Sequence, residues 1–137
     1  MGVYFTGFLG ILDTVTQILH YATAAIPPAL LLSSEGVQAL DCSGELLGAY
    51  PDSRYDNKTI ALPHGVTLVL YSDALIEPNA YNKKIFTLDL LMHCLTAQKE
   101  KNALRNILDI IKTADHHFDD DVTIVTLEPS MLRLVGV

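Results

Sequence analysis

Along the first 75 positions, apolar residues fall in short runs separated by turn-forming residues, a spacing that predicts β-structure. Val3 to Leu12 is rich in aliphatic and aromatic residues, and Asp13-Thr14 closes it as a turn. Thr16 to Thr23 follows, so the two runs predict a hairpin. Ala25-Ile26-Pro27-Pro28 interrupts the pattern, because two prolines bring no N–H to a ladder. Ala29 to Leu32 resumes as a short strand, Ser34-Glu35-Gly36 turns, and Val37 to Leu40 continues. Asp41 to Asp56 is polar, carries Gly44, Gly48 and Pro51, and predicts a loop crossing the sheet. Lys58 to Leu62 and Val66 to Tyr71 predict a further hairpin around Pro63-His64-Gly65.

Helical spacing then takes over. Thr87 is suited to an N-cap, Asp89 lies in the first turn where the helix dipole favours a negative charge, and Leu88, Leu91, Met92 and Leu95 share one face. A second helix is predicted from about Lys99 to Ala114. Its apolar stripe is Ala103, Leu104, Ile107, Leu108 and Ile111, with Lys99, Lys101, Arg105 and Lys112 on a solvated face. Val122 to Leu127 is the last strand. Strands, two helices and a strand predict an α+β fold in which helices pack on one face of antiparallel β-structure.

Composition narrows the class. The 137 residues amount to one domain or a piece of one, and at 50% hydrophobic with 18% charged they are globular. That apolar fraction is high for so short a chain and implies surface meant for another segment or subunit. The net charge of −7 argues against non-specific nucleic-acid binding, which needs clustered cations. Here the basic residues are scattered, with Lys83-Lys84 adjacent. Cys42 and Cys94 make no disulfide framework and read as free thiols of a reducing cytoplasm. No apolar run is long enough for a membrane span, and no basic region precedes the N-terminal apolar stretch as in a secretory signal. Met1 to Thr6 fits the loose myristoylation pattern, but Tyr4 and Phe5 read better as strand.

The candidate chemistry lies at strand ends. Asp73 follows the run Val66 to Ser72, and Asp119-Asp120-Asp121 precedes the run Val122 to Leu127. If these runs are antiparallel neighbours, the carboxylates share a sheet edge, where their repulsion calls for a hard divalent cation. The competing reading is structural: Asp73 caps a turn and the acidic trio is solvated loop. His116-His117 beside Asp119 raises a rival transition-metal site, though adjacent histidines in extended chain point in opposite directions. His20, His64 and His93 have no partner at ligand spacing. A Gly-rich phosphate loop, a nucleophile elbow and a Cys-x-x-Cys pair are all absent from the sequence.

Several stretches together resemble the C-terminal part of a metal-dependent type-2C serine/threonine protein phosphatase of the bacterial SpoIIE-like group. Tyr71-Ser72-Asp73-Ala74 is similar to that family's Tyr-Thr-Asp-Gly, and Leu75-Ile76-Glu77 to its Val-Thr-Glu continuation. Asp120-Asp121-Val122-Thr123 is similar to Asp-Asp-Ile-Thr, and Thr23 to Pro28 to the Asn-Ala-Gly-His-Pro-Pro turn. Leu46-Leu47-Gly48 and Pro51-Asp52 resemble the Pro-Leu-Gly segment and its following Pro-Asp.

The resemblance implies antiparallel β-sheets sandwiched between helices, with residues 1–137 forming the C-terminal part of the domain. It implies two Mg2+ or Mn2+ ions and hydrolysis of phosphoserine or phosphothreonine, with Asp73 and Asp120 as metal ligands and Asp121 as their neighbour. The expected partner is a phosphoprotein regulator of the anti-sigma-factor antagonist type, with no nucleic acid and no membrane, in a cytoplasmic signalling protein such as a response regulator. Three departures stand against activity. The family's N-terminal aspartate and Asp-x-x-Gly-His-Gly turn have no match here, Ala74 replaces a glycine, and Ile26 replaces a histidine. The 137 residues alone are therefore expected to be inactive, with a pseudophosphatase or a plain dimerisation domain as alternatives. Uncovered apolar surface predicts self-association as a homodimer.

Overall fold

A computed structural model describes residues 2–76, 87–97, 102–113, 118 and 120–129. Among these residues seven strands and two α-helices follow in chain order. They are β1 (Gly7–Asp13), β2 (Ile18–Ala24), β3 (Leu30–Ser33), β4 (Gly36–Ala39), β5 (Lys58–Ala61), β6 (Thr67–Tyr71), α1 (Leu88–Ala97), α2 (Ala103–Thr113) and β7 (Ile124–Leu127). The strands make two antiparallel sheets, one ordered β1-β2-β5 and the other β4-β3-β6-β7. The α+β expectation holds, and the helices pack against one face of the four-stranded sheet.

Side-chain alternation explains the layering. In β3 and β6, Leu30, Val69 and Tyr71 face the helices and join Leu91, Leu95, Ala103 and Ile107 in one core. Leu31, Leu68 and Leu70 point the other way, toward Leu19, Tyr21 and Leu62 of the three-stranded sheet. Both faces of these central strands are covered, so they read as unbroken apolar runs. Each fully buried leucine among them contributes roughly 2 kcal/mol of transfer free energy. β1 is covered on one side only: Phe8 turns inward and stacks on Tyr21 with ring centroids 5.4 Å apart, while Leu9 and Ile11 face outward and are exposed.

The predicted hairpin of Lys58 to Leu62 with Val66 to Tyr71 does not form. β5 pairs with β2, Ile18 opposite Ala61, whereas β6 pairs with β3 and β7. The linking segment passes from one sheet to the other. Leu62 is fully buried between the sheets, and its N–H donates to Gln17 O at 2.8 Å. Burying that leucine decides against the local pairing that the turn residues suggest. β1 also starts later than expected, since only Phe5 of the preceding residues bridges, to Leu47.

Thr87 caps α1 as expected, its Oγ1 accepting the Leu90 N–H at 3.2 Å. α2 starts at Ala103, with Asn102 Oδ1 accepting the Arg105 N–H at 3.0 Å. Its buried side differs from the predicted stripe: Ala103, Asn106 and Ile107 are inside, while Leu104 and Leu108 are exposed. Lys99, Lys101 and Ala114, expected within this helix, lie outside the described residues. No helix among the described residues is long and apolar enough to cross a membrane.

Candidate metal centre

The register of β6 and β7 decides where the aspartates meet. Tyr71, the last residue of β6, lies opposite Ile124, the first of β7. Asp73 therefore leaves the sheet at the edge where Asp120 and Asp121 enter it. The chain does not continue the ladder past Tyr71. It closes instead into a single 3-10 turn, Asp73–Leu75, anchored by the fully buried Leu75.

Each aspartate is braced locally. Asp73 Oδ1 accepts the Ala74 N–H at 2.9 Å, and Asp120 Oδ1 accepts the Asp121 N–H at 2.8 Å. Asp73, Asp120 and Asp121 are all exposed. Ser72 ties the two segments together: its N–H donates to Thr123 O at 2.9 Å, and its hydroxyl contacts Thr123 N and Asp121 O.

The rest of this end of the sandwich comes from the β2–β3 turn and the Asp41 to Asp56 loop. Leu30 opposite Val69 brings the start of β3 beside the end of β6, and the Tyr71 hydroxyl donates to Pro28 O at 2.8 Å. Burial pushes the Tyr71 phenol far above its ordinary range. Ala25, at the position of the family turn's glycine, adopts φ 45°, a left-handed conformation that costs an alanine about 1–2 kcal/mol. Its N–H donates to Gly44 O at 3.2 Å. Lys58 holds the other end of the loop, with Nζ 2.7 Å from Asp41 Oδ2 and bonded to Asp41 O and Ser43 Oγ. The Lys58 ammonium, followed by the Ser43 N–H, draws the Asp41 carboxyl down to about 2. Sequence reading missed this pair, because nothing local marks a contact across 17 residues.

Two exposed carboxylates with oxygen donors fit a hard cation, which typically takes one or two protein carboxylates and fills the remaining positions with water or phosphate oxygens. No group of three or more His, Cys, Asp or Glu residues that could hold a metal is found among the described residues. Asp119, Glu77, His116 and His117 lie outside those residues. His64 has a structural partner, its Nδ1 lying 2.8 Å from Pro129 O. A cavity of 510 Å³ beside Ser33, Gly65 and Glu128 lies at the opposite end of the sheet from Asp73.

The family described as Stage II sporulation protein E (SpoIIE) matches residues 2–130. The chain belongs to that family. Protein IcfG of Synechocystis is 31% identical over 134 residues, 93% of this chain and 21% of IcfG. The phosphatase domain of Bacillus subtilis SpoIIE, presoaked with Mn, superposes with a TM-score of 0.68 at 19% identity, covering 90% of this chain and 56% of that domain. The SiaA-PP2C domain of Pseudomonas aeruginosa gives 0.72 at 21% identity, covering 90% of this chain and 51% of its own. The chain thus spans about a fifth of IcfG and about half of each of these solved phosphatase domains. Its sheets and helices have the PP2C phosphatase fold.

Proposed function

We propose that this chain is the C-terminal portion of a SpoIIE-type phosphatase domain whose completed form hydrolyses phosphoserine or phosphothreonine on a regulatory protein. Asp73 and Asp120 hold Mg2+ or Mn2+, and the regulator is of the anti-sigma-factor antagonist type. The supporting observation is the β6–β7 register, which carries both carboxylates to one sheet edge. When bound, the divalent ions supply Lewis-acid stabilisation of phosphoryl charge and a nucleophilic water at neutral pH. The chain's own contribution is placement. Ser72 joins the two aspartate segments, and Tyr71 fixes the β2–β3 turn against them.

The open side of the sandwich supports the reading that more polypeptide completes it. Leu9 is 70% exposed, Ile11 68% and Val125 50%, and a cleft of 270 Å³ lies between the sheets beside Phe8, Leu12, Leu70 and Leu127. Phosphate release from a phosphoserine protein, assayed with Mn2+, tests the function. Residues 1–137 alone give none; the chain joined to a SpoIIE-type N-terminal half gives Mn2+-dependent release, abolished by D73N or D120N. No release from the joined protein would overturn the enzyme reading. The exposed apolar surface, the outer face of β1 at Leu9 and Ile11 together with the cleft at Val125, makes residues 1–137 a homodimer by light scattering, and a monomer would remove that part of the proposal. A second reading, a pseudophosphatase that binds its regulator without chemistry, is favoured by Ile26 and by the strained Ala25 in the β2–β3 turn.

A further inference from the structure

The β6–β7 ladder ends at Tyr71 and Ile124, with Ser72 between it and Asp73 and Val122-Thr123 between it and Asp121. Beyond it, the hydrogen bonds joining the two segments among the described residues all come from Ser72. Its N–H donates to Thr123 O at 2.9 Å, its hydroxyl oxygen accepts the Thr123 N–H at 2.9 Å, and the hydroxyl proton is directed to Asp121 O at 3.3 Å. The side chain thus replaces the strand pairing that the 3-10 turn at Asp73 ends. Asp73 is its immediate neighbour, and Asp121, whose carbonyl it reaches, donates its own N–H to Asp120 Oδ1. Two hydrogen bonds, linked through the Asp121 backbone, therefore connect the residue before one carboxylate to the other.

We infer that Ser72 is a positioning residue of the metal centre, its hydroxyl fixing the spacing of Asp73 and Asp120 so that one hard cation meets both. This rests on the reading of those aspartates as ligands. Residues that orient metal ligands typically govern affinity by about 10- to 100-fold. A hydroxyl that only closed the end of a strand would affect stability and leave cation affinity alone.

The test is an NMR titration of the isotope-labelled chain with Mn2+, following paramagnetic broadening of the Ala74 and Asp121 amides. These N–H groups donate to the two carboxylates and so report a cation held there even when binding is weak. In the wild type both amides broaden with one shared midpoint. Ser72→Ala raises the shared midpoint about tenfold, and Ser72→Thr, which keeps the hydroxyl, restores the wild-type value. Wild-type midpoints in Ser72→Ala, or no restoration by Ser72→Thr, would overturn the positioning role while leaving the metal site standing. Absence of selective broadening in the wild type, or broadening unchanged by D73N and D120N, would remove the metal reading and this inference together.

Discussion

Gly44→Ala tests how tightly the Asp41 to Asp56 loop is fitted to the candidate site. A Cβ at Gly44 would stand 2.2 Å from Thr23 O, 3.1 Å from Thr23 C and 3.4 Å from Ala24 Cα, all backbone atoms of the strand leading into the strained turn. Carbon–oxygen contacts ordinarily begin near ~3.3 Å, so the loop must retreat by about 1 Å. That retreat strains two hydrogen bonds, Ala25 N–H to Gly44 O at 3.2 Å and Thr23 hydroxyl to Ser43 O at 2.8 Å. Each is worth about 1 kcal/mol. The φ of +152° adds about 1–2 kcal/mol for any residue with a Cβ. The sum, about 3–4 kcal/mol, is a large part of the stability of a domain this size and corresponds to a fall in Tm on the order of 10 °C. Gly36→Ala is the control: φ there is +133°, yet nothing lies within 4 Å of its Cβ. Urea denaturation followed by circular dichroism should therefore give Gly44→Ala a loss about 2 kcal/mol greater than Gly36→Ala. Equal losses would refute the argument that the loop is clamped to Thr23.

Ala25→Gly should stabilise the fold, since it relieves the left-handed strain at φ 45°; after subtracting glycine's entropy and a half-buried methyl, the gain is about 0.5 kcal/mol, and a lower urea midpoint would contradict it. Asp41→Asn should flatten acid unfolding. The folded carboxyl, at about 2, lies below its ordinary 3.8, so the native state binds fewer protons in between. The Asp41 contribution is present above about pH 4 and lost as pH falls through about 2. Urea midpoints at pH 4, 3 and 2 should therefore fall less steeply in the variant, and parallel slopes would count against the Lys58 pairing. Cys42 should react with a thiol reagent well after Cys94: it is 7% exposed, its Sγ accepts the Ala29 N–H at 3.3 Å, and burial pushes its thiol up. Peptide mapping after a short exposure to iodoacetamide would show the order, and Cys42 labelled first would be inconsistent with this burial.

The strands were legible because their physics is local. Aliphatic and aromatic enrichment bounded by turn residues marks β1 and β2, and a continuous apolar run marks β3 and β6, which are covered on both faces. What the sequence withheld depends on contacts far apart in the chain. The turn at Pro63-His64-Gly65 has hairpin composition, but the burial of Leu62 between sheets sends β5 and β6 to different partners. α2 shows the same limit. Leu104 and Leu108 belong to the stripe by periodicity, yet packing against α1 and β7 turns the helix so that Asn106 is buried in their stead. At the site, Asp73 and Asp120 could be singled out from motif and strand ends. The left-handed backbone of Ala25 could not, since an alanine carries no sign of positive φ.

The two aspartates proposed as ligands are unequally supported by the fold. Asp73 follows β6, which is hydrogen-bonded to strands on both sides and buried on both faces. Asp120 precedes β7, an edge strand whose Val125 and Leu127 are exposed. An edge strand lacks half of its backbone partners, so its ends open more readily than those of a central strand. Ser72 offsets part of that difference by bonding Asp121 and Thr123 to the firmer strand. Polypeptide pairing along the edge of β7 that carries no strand among the described residues would supply the rest. On the proposed reading, completion of the sheet and completion of the metal site are one structural event, because β7, which has a single neighbour among the described residues, leads from Asp120.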